Sequence, residues 1–131
     1  MNNYGIIALK AVEFIKKENL NPKEAWNIAA IEVFKDKETS IKKECPKNTF
    51  LGLCEEGLVK FVKEGRYTTS VKNKSYAIKA ISILENKKYD DKVTAKQLWN
   101  LVMAGEKKSH NSQMNVVLDL WNNGFINDMD L

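Results

Sequence analysis

The side chains that could perform chemistry in this chain are two cysteines, Cys45 and Cys54, and one histidine, His110. Cys45 lies just before a predicted helix start, where backbone dipoles favour the reactive thiolate form of a thiol. Paired with His110 it would supply a nucleophile and a base, which is the sharpest form of an enzyme hypothesis. The simpler interpretation is that Cys45 begins a helix, that Cys54 fills a core position, and that both are unbonded and inert.

The same three residues are the nearest approach to a metal site. No C-x-x-C pair and no second histidine accompanies them, so the pattern does not support zinc binding. The chain also has no glycine-rich phosphate loop and no G-x-S-x-G nucleophile elbow. We therefore expect no metal and no cofactor, and we favour a non-enzymatic binding protein over an enzyme of unrecognised type that uses Cys45 or His110.

Basic and amide side chains precede the last predicted helix in the stretch GEKKSHNSQ, and paired lysines occupy the matching place in IKKECPKN. The free N–H groups of a helix start attract anions, and amide side chains at such a start can read base edges. The candidate anion- or nucleic-acid-binding residues are Lys42, Lys43, Lys47, Arg66, Lys107, Lys108, His110, Asn111 and Gln113. A solvated polar loop is the simpler interpretation of the same residues.

The charge balance supports this hypothesis only weakly. The formal net charge is +4, but Arg66 is the sole arginine among 21 basic residues. Arginine is the residue preferred for paired contacts to phosphate and guanine. The partner of such a binding protein is therefore either a nucleic acid or another protein. The third alternative is that the chain is a structural subunit of a homo-oligomer.

The elements that must position these residues are helices, and they are predicted to occur as two copies of one unit. ALKAVEFI matches AIKAISIL 69 positions later, PKEAWNIA matches AKQLWNLV 73 positions later, and NTFLGLCEEGLV matches NVVLDLWNNGFI 67 positions later. The order is preserved, so we expect an internal duplication of residues 4–59 in residues 73–126. The alternative is that two amphipathic three-helix units are alike by chance.

Each unit is predicted to contain three helices, giving an all-α fold in which both units share one core within a single domain of residues 1–131. Helical periodicity and capping signals place the helices at about Tyr4–Lys17, from Asn21-Pro22 onward, from Pro46 to the stop at Gly57, Lys74–Asn86, Thr94–Met103 and Asn111–Asn122. The connector, residues 60–72, is either irregular or a short hairpin around Glu64-Gly65. The tryptophans are expected in the core.

No apolar run is long enough to span a membrane, and no signal peptide is indicated. With so few cysteines, reduced thiols in a cytoplasm are the expectation.

The chain resembles a family of small bacterial proteins of unknown function. Two stretches carry the resemblance, CPKNTFLGLCEEGLVK and GEKKSHNSQMNVVLDLW, and it covers nearly the whole chain. It implies a bacterial protein without an established activity or ligand. Relatives tend towards a glycine- and proline-containing turn after GLVK, where this chain has Phe61-Val62-Lys63.

Overall fold

The computed structural model describes residues 2–86 and 93–129, and it confirms an all-helical architecture. The helices are α1 Asn3–Glu18, α2 Pro22–Phe34, α3 Glu38–Ile41, α4 Glu44–Glu55, α5 Val71–Glu85, α6 Ala95–Met103 and α7 Gln113–Asn122. No strand forms in the described residues, where pairing between extended segments is limited to one isolated bridge. The single turn α3 was not predicted, because four residues are too few to show helical periodicity.

Side-chain caps fix the starts of several helices as the sequence predicted. The Asn21 side chain accepts a hydrogen bond from the Lys23 N–H at 2.8 Å, with Pro22 as the first residue of α2. Thr94 and Gln97 form a reciprocal capping box at the start of α6. Helix α4 begins at Glu44, two residues before the predicted start, because a proline such as Pro46 is tolerated in the first turn of a helix.

Helices α4 and α7 end in the same way, each at a glycine in the left-handed conformation. Gly57 has φ +72° and Gly124 has φ +78°. The N–H of Leu58 then bonds back to the Leu53 carbonyl at 3.0 Å, and the N–H of Phe125 bonds to the Leu120 carbonyl at 2.9 Å. These are Schellman endings, and they confirm the predicted helix stops.

The third helix of each predicted unit packs mainly on the first helix of the other unit. Helix α4 lies along α5, and α7 lies along α1, while α2 packs on α1 and α6 on α5. Buried apolar residues from both halves therefore form one continuous core, which includes Trp26 and Trp99.

The chain segments that follow α4 and α7 pair with each other. An antiparallel bridge joins Val59 to Ile126. The N–H of Lys60 bonds to the Phe125 carbonyl at 2.9 Å, and the N–H of Asn127 bonds to the Leu58 carbonyl at 2.8 Å. In the sequence alignment of the two units, Val59 corresponds to Ile126 and Leu58 to Phe125, so equivalent segments meet each other here.

Two glycines allow α4 to cross α5 closely and α1 to cross α7 closely. A Cβ added at Gly52 of α4 would lie 2.8 Å from the Lys74 Cα of α5. A Cβ added at Gly5 of α1 would lie 1.7 Å from Oδ2 of Asp119 on α7. In the alignment Gly52 corresponds to Asp119 and Gly5 to Lys74, so both crossings involve equivalent positions.

The connector is irregular, and the hairpin alternative is wrong. The backbone N–H groups around Gly65 bond to α4, and in the described residues no backbone–backbone hydrogen bond joins Lys60–Glu64 to Arg66–Ser70 as a hairpin would require. The side chain of Glu55 accepts from the N–H groups of Tyr67 and Thr68 at 2.8 and 3.2 Å, and its carbonyl accepts from the N–H of Gly65 at 3.3 Å. Phe61 also adopts a left-handed φ of +71°, which ends extended structure after Val59.

Candidate functional site

Four helices begin close together at one end of the molecule. The Asn2 amide, which caps α1, donates to the Ser112 hydroxyl at the start of α7 over 3.3 Å. The Gln113 amide donates to the Asn73 side chain in the first turn of α5 over 3.3 Å. Asn73 in turn lines a surface groove together with Cys45, in the first turn of α4. Helix N-termini carry partial positive charge, so this end of the molecule favours anions.

The groove between these helix starts has a volume of about 280 Å³. We call it the Lys72–Lys108 groove, after the two lysines that line it. Its lining is Cys45, Lys72, Asn73, Tyr76, Trp99, Lys108, Ser109, Asn111 and Gln113. Among these residues none is acidic, and the polar side chains offer mainly hydrogen-bond donors. The lining is therefore suited to an anion.

Two lysine amines converge at this groove. Lys72, in the first turn of α5, and Lys108, in the loop before α7, line this groove together with Tyr76, and both lysine side chains are exposed. The nearby Lys108 ammonium lowers the pKa of Lys72, because a second positive charge at this distance is unfavourable. Glu106 also acts on both lysines and favours their charged forms. An anion between the amines would remove the repulsion.

The loop that carries Lys108 is held in place by aromatic contacts. The indole N–H of Trp99 donates to the Lys108 carbonyl at 2.9 Å. The His110 ring packs on the Trp99 ring with centroids 5.1 Å apart, and the Tyr76 ring meets Trp99 edge-on at 5.3 Å. The backbone of Lys108 is therefore fixed, while its exposed side chain is able to meet a ligand.

His110 has a structural role at the start of α7. Its Nε2 accepts a hydrogen bond from the N–H of Met114 at 3.0 Å, which satisfies a free donor of the helix. Burial lowers the pKa of His110, so the ring is neutral at pH 7. Because its ring is neutral and hydrogen-bonded to Met114, His110 contributes no positive charge to an anion site.

The two amide side chains proposed as base readers are engaged within the protein. Gln113 is only 3% exposed, and its Oε1 accepts from the Asn111 N–H at 2.6 Å while its Nε2 donates to Asn73. Asn111 donates from its side chain to the Ser109 carbonyl at 3.4 Å. These residues shape the groove wall, and α7 does not present them as a recognition helix would.

The remaining sequence-proposed residues are divided between the two ends of α4. Lys42 and Lys43 are exposed just before α4, Lys47 is half-buried in its first turns, and Lys107 is exposed beside Lys108. Arg66 is exposed between Gly65 and Tyr67, which both bond to Glu55 at the far end of α4. A helix of this length spans about 18 Å, so Arg66 is separated from the lysines that precede α4.

The pairing that an enzyme would need does not form between Cys45 and His110. Cys45 lines the groove, but among the described residues no hydrogen bond joins it to His110, whose Nε2 is committed to Met114. Cys54 is fully buried, and burial raises its thiol pKa well above the ordinary value. Both cysteines are free of disulfide bonds.

Sequence reasoning missed Lys72 and Tyr76. Lys72 was assigned to the connector, but it lies in the first turn of α5, which begins three residues before the predicted start. Ser70 provides the cap, accepting from the Asn73 N–H at 3.4 Å. Ser70, the first residue of SVKNKS, was the available signal for this earlier start.

The described residues contain no cluster of three or more His, Cys, Asp and Glu side chains that could hold a metal ion. None of the helices in residues 2–86 and 93–129 has the length and apolar character that a membrane crossing requires.

The described residues therefore form an all-helical protein with a small groove, lined by hydrogen-bond donors, where several helices begin. The chain belongs to a family of unknown function, DUF6979, which matches residues 1–127. This match confirms the predicted membership in an uncharacterised family. No curated protein and no solved structure matched the chain.

Proposed function

We propose that this protein is a non-enzymatic binding protein whose partner is a nucleic acid, held at the end where α1, α4, α5 and α7 begin. The observation that carries the proposal is the convergence of Lys72 and Lys108 on one groove without an acidic lining residue. Lysine contacts of this kind bind the phosphate backbone and carry no sequence information. We therefore expect binding that depends on charge and is not selective for sequence.

The positions of the other lysines support the same surface. Lys42 and Lys43 lie just before Glu44 and Cys45, and Lys107 is next to Lys108. Both lysine pairs therefore flank helix starts that adjoin the Lys72–Lys108 groove. Arg66 is left out of this surface, because its neighbours are bonded at the opposite end of α4.

Salt-dependent binding of a fluorescent single-stranded oligonucleotide, followed by anisotropy, tests the proposal. The double variant Lys72→Ala/Lys108→Ala should weaken binding and flatten the plot of log affinity against log salt by about 1.4, as expected for two lost phosphate contacts on a single strand. The matched control is Lys23→Ala/Lys79→Ala, which removes the same charge from exposed positions outside the groove. Equal effects of the two double variants, or no binding by the native chain at low salt, would reject the proposal.

A protein partner is the second candidate, and a separate apolar surface favours it. Phe61 is 53% exposed in a left-handed conformation, with the Phe125 ring 6.4 Å away and the Lys16 ammonium 4.9 Å from its ring centroid. Phe125 also lines a groove of about 490 Å³ with Phe14. Exposed aromatic groups of this kind mark protein interaction sites. Retention of a partner protein that Phe61→Ser abolishes would support this candidate.

We also infer that the two halves of the chain arose by duplication. The symmetric bonds around Val59 and Ile126 and the equivalent glycine crossings at Gly5 and Gly52 support the inference. Superposition of residues 4–59 on residues 73–126 tests it, with Trp26 expected on Trp99. A bacterial cytoplasm, where nucleic acid is present and thiols stay reduced, remains the expected location.

A further inference from the structure

We infer that the Lys72–Lys108 groove is a subsite for a dianionic phosphate monoester, such as the terminal 5′-phosphate of a nucleic acid strand or a free mononucleotide. This inference rests on the proposed function and makes it more specific. The groove would bind the phosphate at the end of a strand, whereas binding of the strand's sugar–phosphate backbone would need only internal phosphodiesters.

Charge is the first reason for a monoester. A phosphodiester carries one negative charge, whereas a phosphate monoester carries about 1.5 to 2 at pH 7. Lys72 and Lys108 both line this one groove of about 280 Å³, so their two charges face the same small space and not an extended track. A single group with two charges matches this arrangement better than two successive phosphodiesters.

Size is the second reason. At about 280 Å³ the groove lies just below the range of about 300–1,000 Å³ typical of small-molecule sites. It can hold a phosphate with part of its sugar, but it cannot hold a stretch of backbone with several bases.

Rigidity is the third reason. Two bonds fix the walls before any ligand arrives, one from the Trp99 indole to the Lys108 carbonyl and one from Gln113 to Asn73. The start of α4 opens into the groove at Cys45 and has no side-chain cap, because its N-cap residue is Lys43. In that first turn Pro46 has no N–H, so the N–H of Cys45 is the helix-start donor that adjoins the two lysines and the Tyr76 hydroxyl.

The test compares a short single-stranded DNA bearing a 5′-phosphate with the same strand bearing a 5′-hydroxyl, both labelled at the 3′ end. The 5′-phosphate strand should bind the native protein about tenfold more tightly, because one charge-assisted contact is added. Lys72→Ala/Lys108→Ala should abolish the difference, and Tyr76→Phe should reduce it. Lys79→Ala, which removes one exposed lysine of α5 outside the groove lining, should retain it.

A titration with inorganic phosphate and adenosine monophosphate, followed through the amide resonances of Cys45 and Lys72, separates the possible sources of the phosphate. Shifts with these probes but no strand binding would support the subsite and reject the nucleic-acid function. Equal affinity for both strands, with salt-dependent binding retained, would overturn the subsite and leave the proposed function standing. No response to either strand or to the small phosphates would overturn both.

Discussion

His110 stabilises the start of α7 through a bond that only its neutral form can accept. Its Nε2 receives the N–H of Met114, and its ring lies against Trp99. Because it is the only histidine, its titration can be followed without interference from another imidazole. The groove wall that contains Lys108 therefore depends on the protonation state of one residue that lies outside the groove lining.

This dependence predicts a loss of stability in mild acid. Burial lowers the pKa of His110 below 6.5 in the folded protein, so the unfolded chain binds a proton first as the pH falls. The stabilisation is complete above pH 6.5 and is lost as the pH falls through the lowered folded value. His110→Phe keeps the ring contact without titrating. Denaturant unfolding at pH 7.5 and 5 should show a smaller pH effect in this variant, and an equal effect would contradict the assignment.

Glu55 is the second residue whose titration matters, and it joins the connector to α4 and α5. Hydrogen bonds from Lys74 and from the Tyr67 N–H lower its pKa to about 2. Because the folded value is depressed, this stabilisation is present above pH 4.5 and is lost as the pH falls through the folded value near 2. Glu55→Gln should cost about 2 kcal/mol of unfolding free energy at pH 7.

The control for this prediction is Glu56→Gln, which removes a more exposed partner of the same lysine. It should cost much less, because exposed ion pairs contribute little. Equal losses in the two variants would show that the connector bonds of Glu55 do not matter.

The close crossing of helices α4 and α5 depends on Gly52. Alanine there would place its Cβ 2.8 Å from the Lys74 backbone, which cannot move without separating the helices. At Gly5 the closest atom belongs to the end of the Asp119 side chain, which can rotate away. Gly52→Ala should therefore lose about 1–3 kcal/mol of stability, and Gly5→Ala should lose less. Thermal unfolding that reverses this order would contradict the packing described.

A substitution at the C-terminal end of helix α6 is expected to stabilise the protein. Its C-cap residue, Ala104, adopts a left-handed conformation with φ +50°, and its side chain is exposed. A residue with a Cβ pays about 1 kcal/mol for this conformation, whereas glycine does not. Ala104→Gly should therefore raise the unfolding free energy by up to about 1 kcal/mol. Loss of stability would indicate that the loop before Lys108 is held differently.

The elements could be predicted well where local signals are strong. The Asn21-Pro22 start, the Thr94 cap and the stops at Gly57 and Gly124 follow from capping chemistry, which acts within a few residues. The earlier start of α5 also had a local signal, the cap residue Ser70. The irregular connector could not be predicted in this way, because it depends on Glu55 and Asn48, side chains of another helix, which bond to residues 67 and 68.

The groove was only partly predictable for the same reason. Lys108 was identified from its position before a helix, but its proximity to Lys72 depends on how α5 and α7 pack. Gln113 was proposed as a base reader because its position before α7 is compatible with that role. Packing against Asn73 buries it, and this contact joins residues far apart in the sequence.

The two halves of the chain depend on each other, because the third helix of each predicted unit packs on the first helix of the other unit. Helix α4 has its main partner in α5, and α7 has its main partner in α1. A half of about 65 residues would expose these faces and bury little of its surface. Fragments 1–70 and 71–131 should each show weak helicity by circular dichroism and recover it when mixed. Cooperative unfolding of either fragment alone would contradict the arrangement.

Binding of phosphate-bearing nucleic acid in the Lys72–Lys108 groove can be tested by amide chemical-shift mapping with a single-stranded oligonucleotide at low salt. We expect shifts concentrated at residues 44–45, 72–76 and 108–113, which Lys72→Ala/Lys108→Ala removes. Shifts concentrated around Phe61 and Phe125, or no shifts at all, would contradict it.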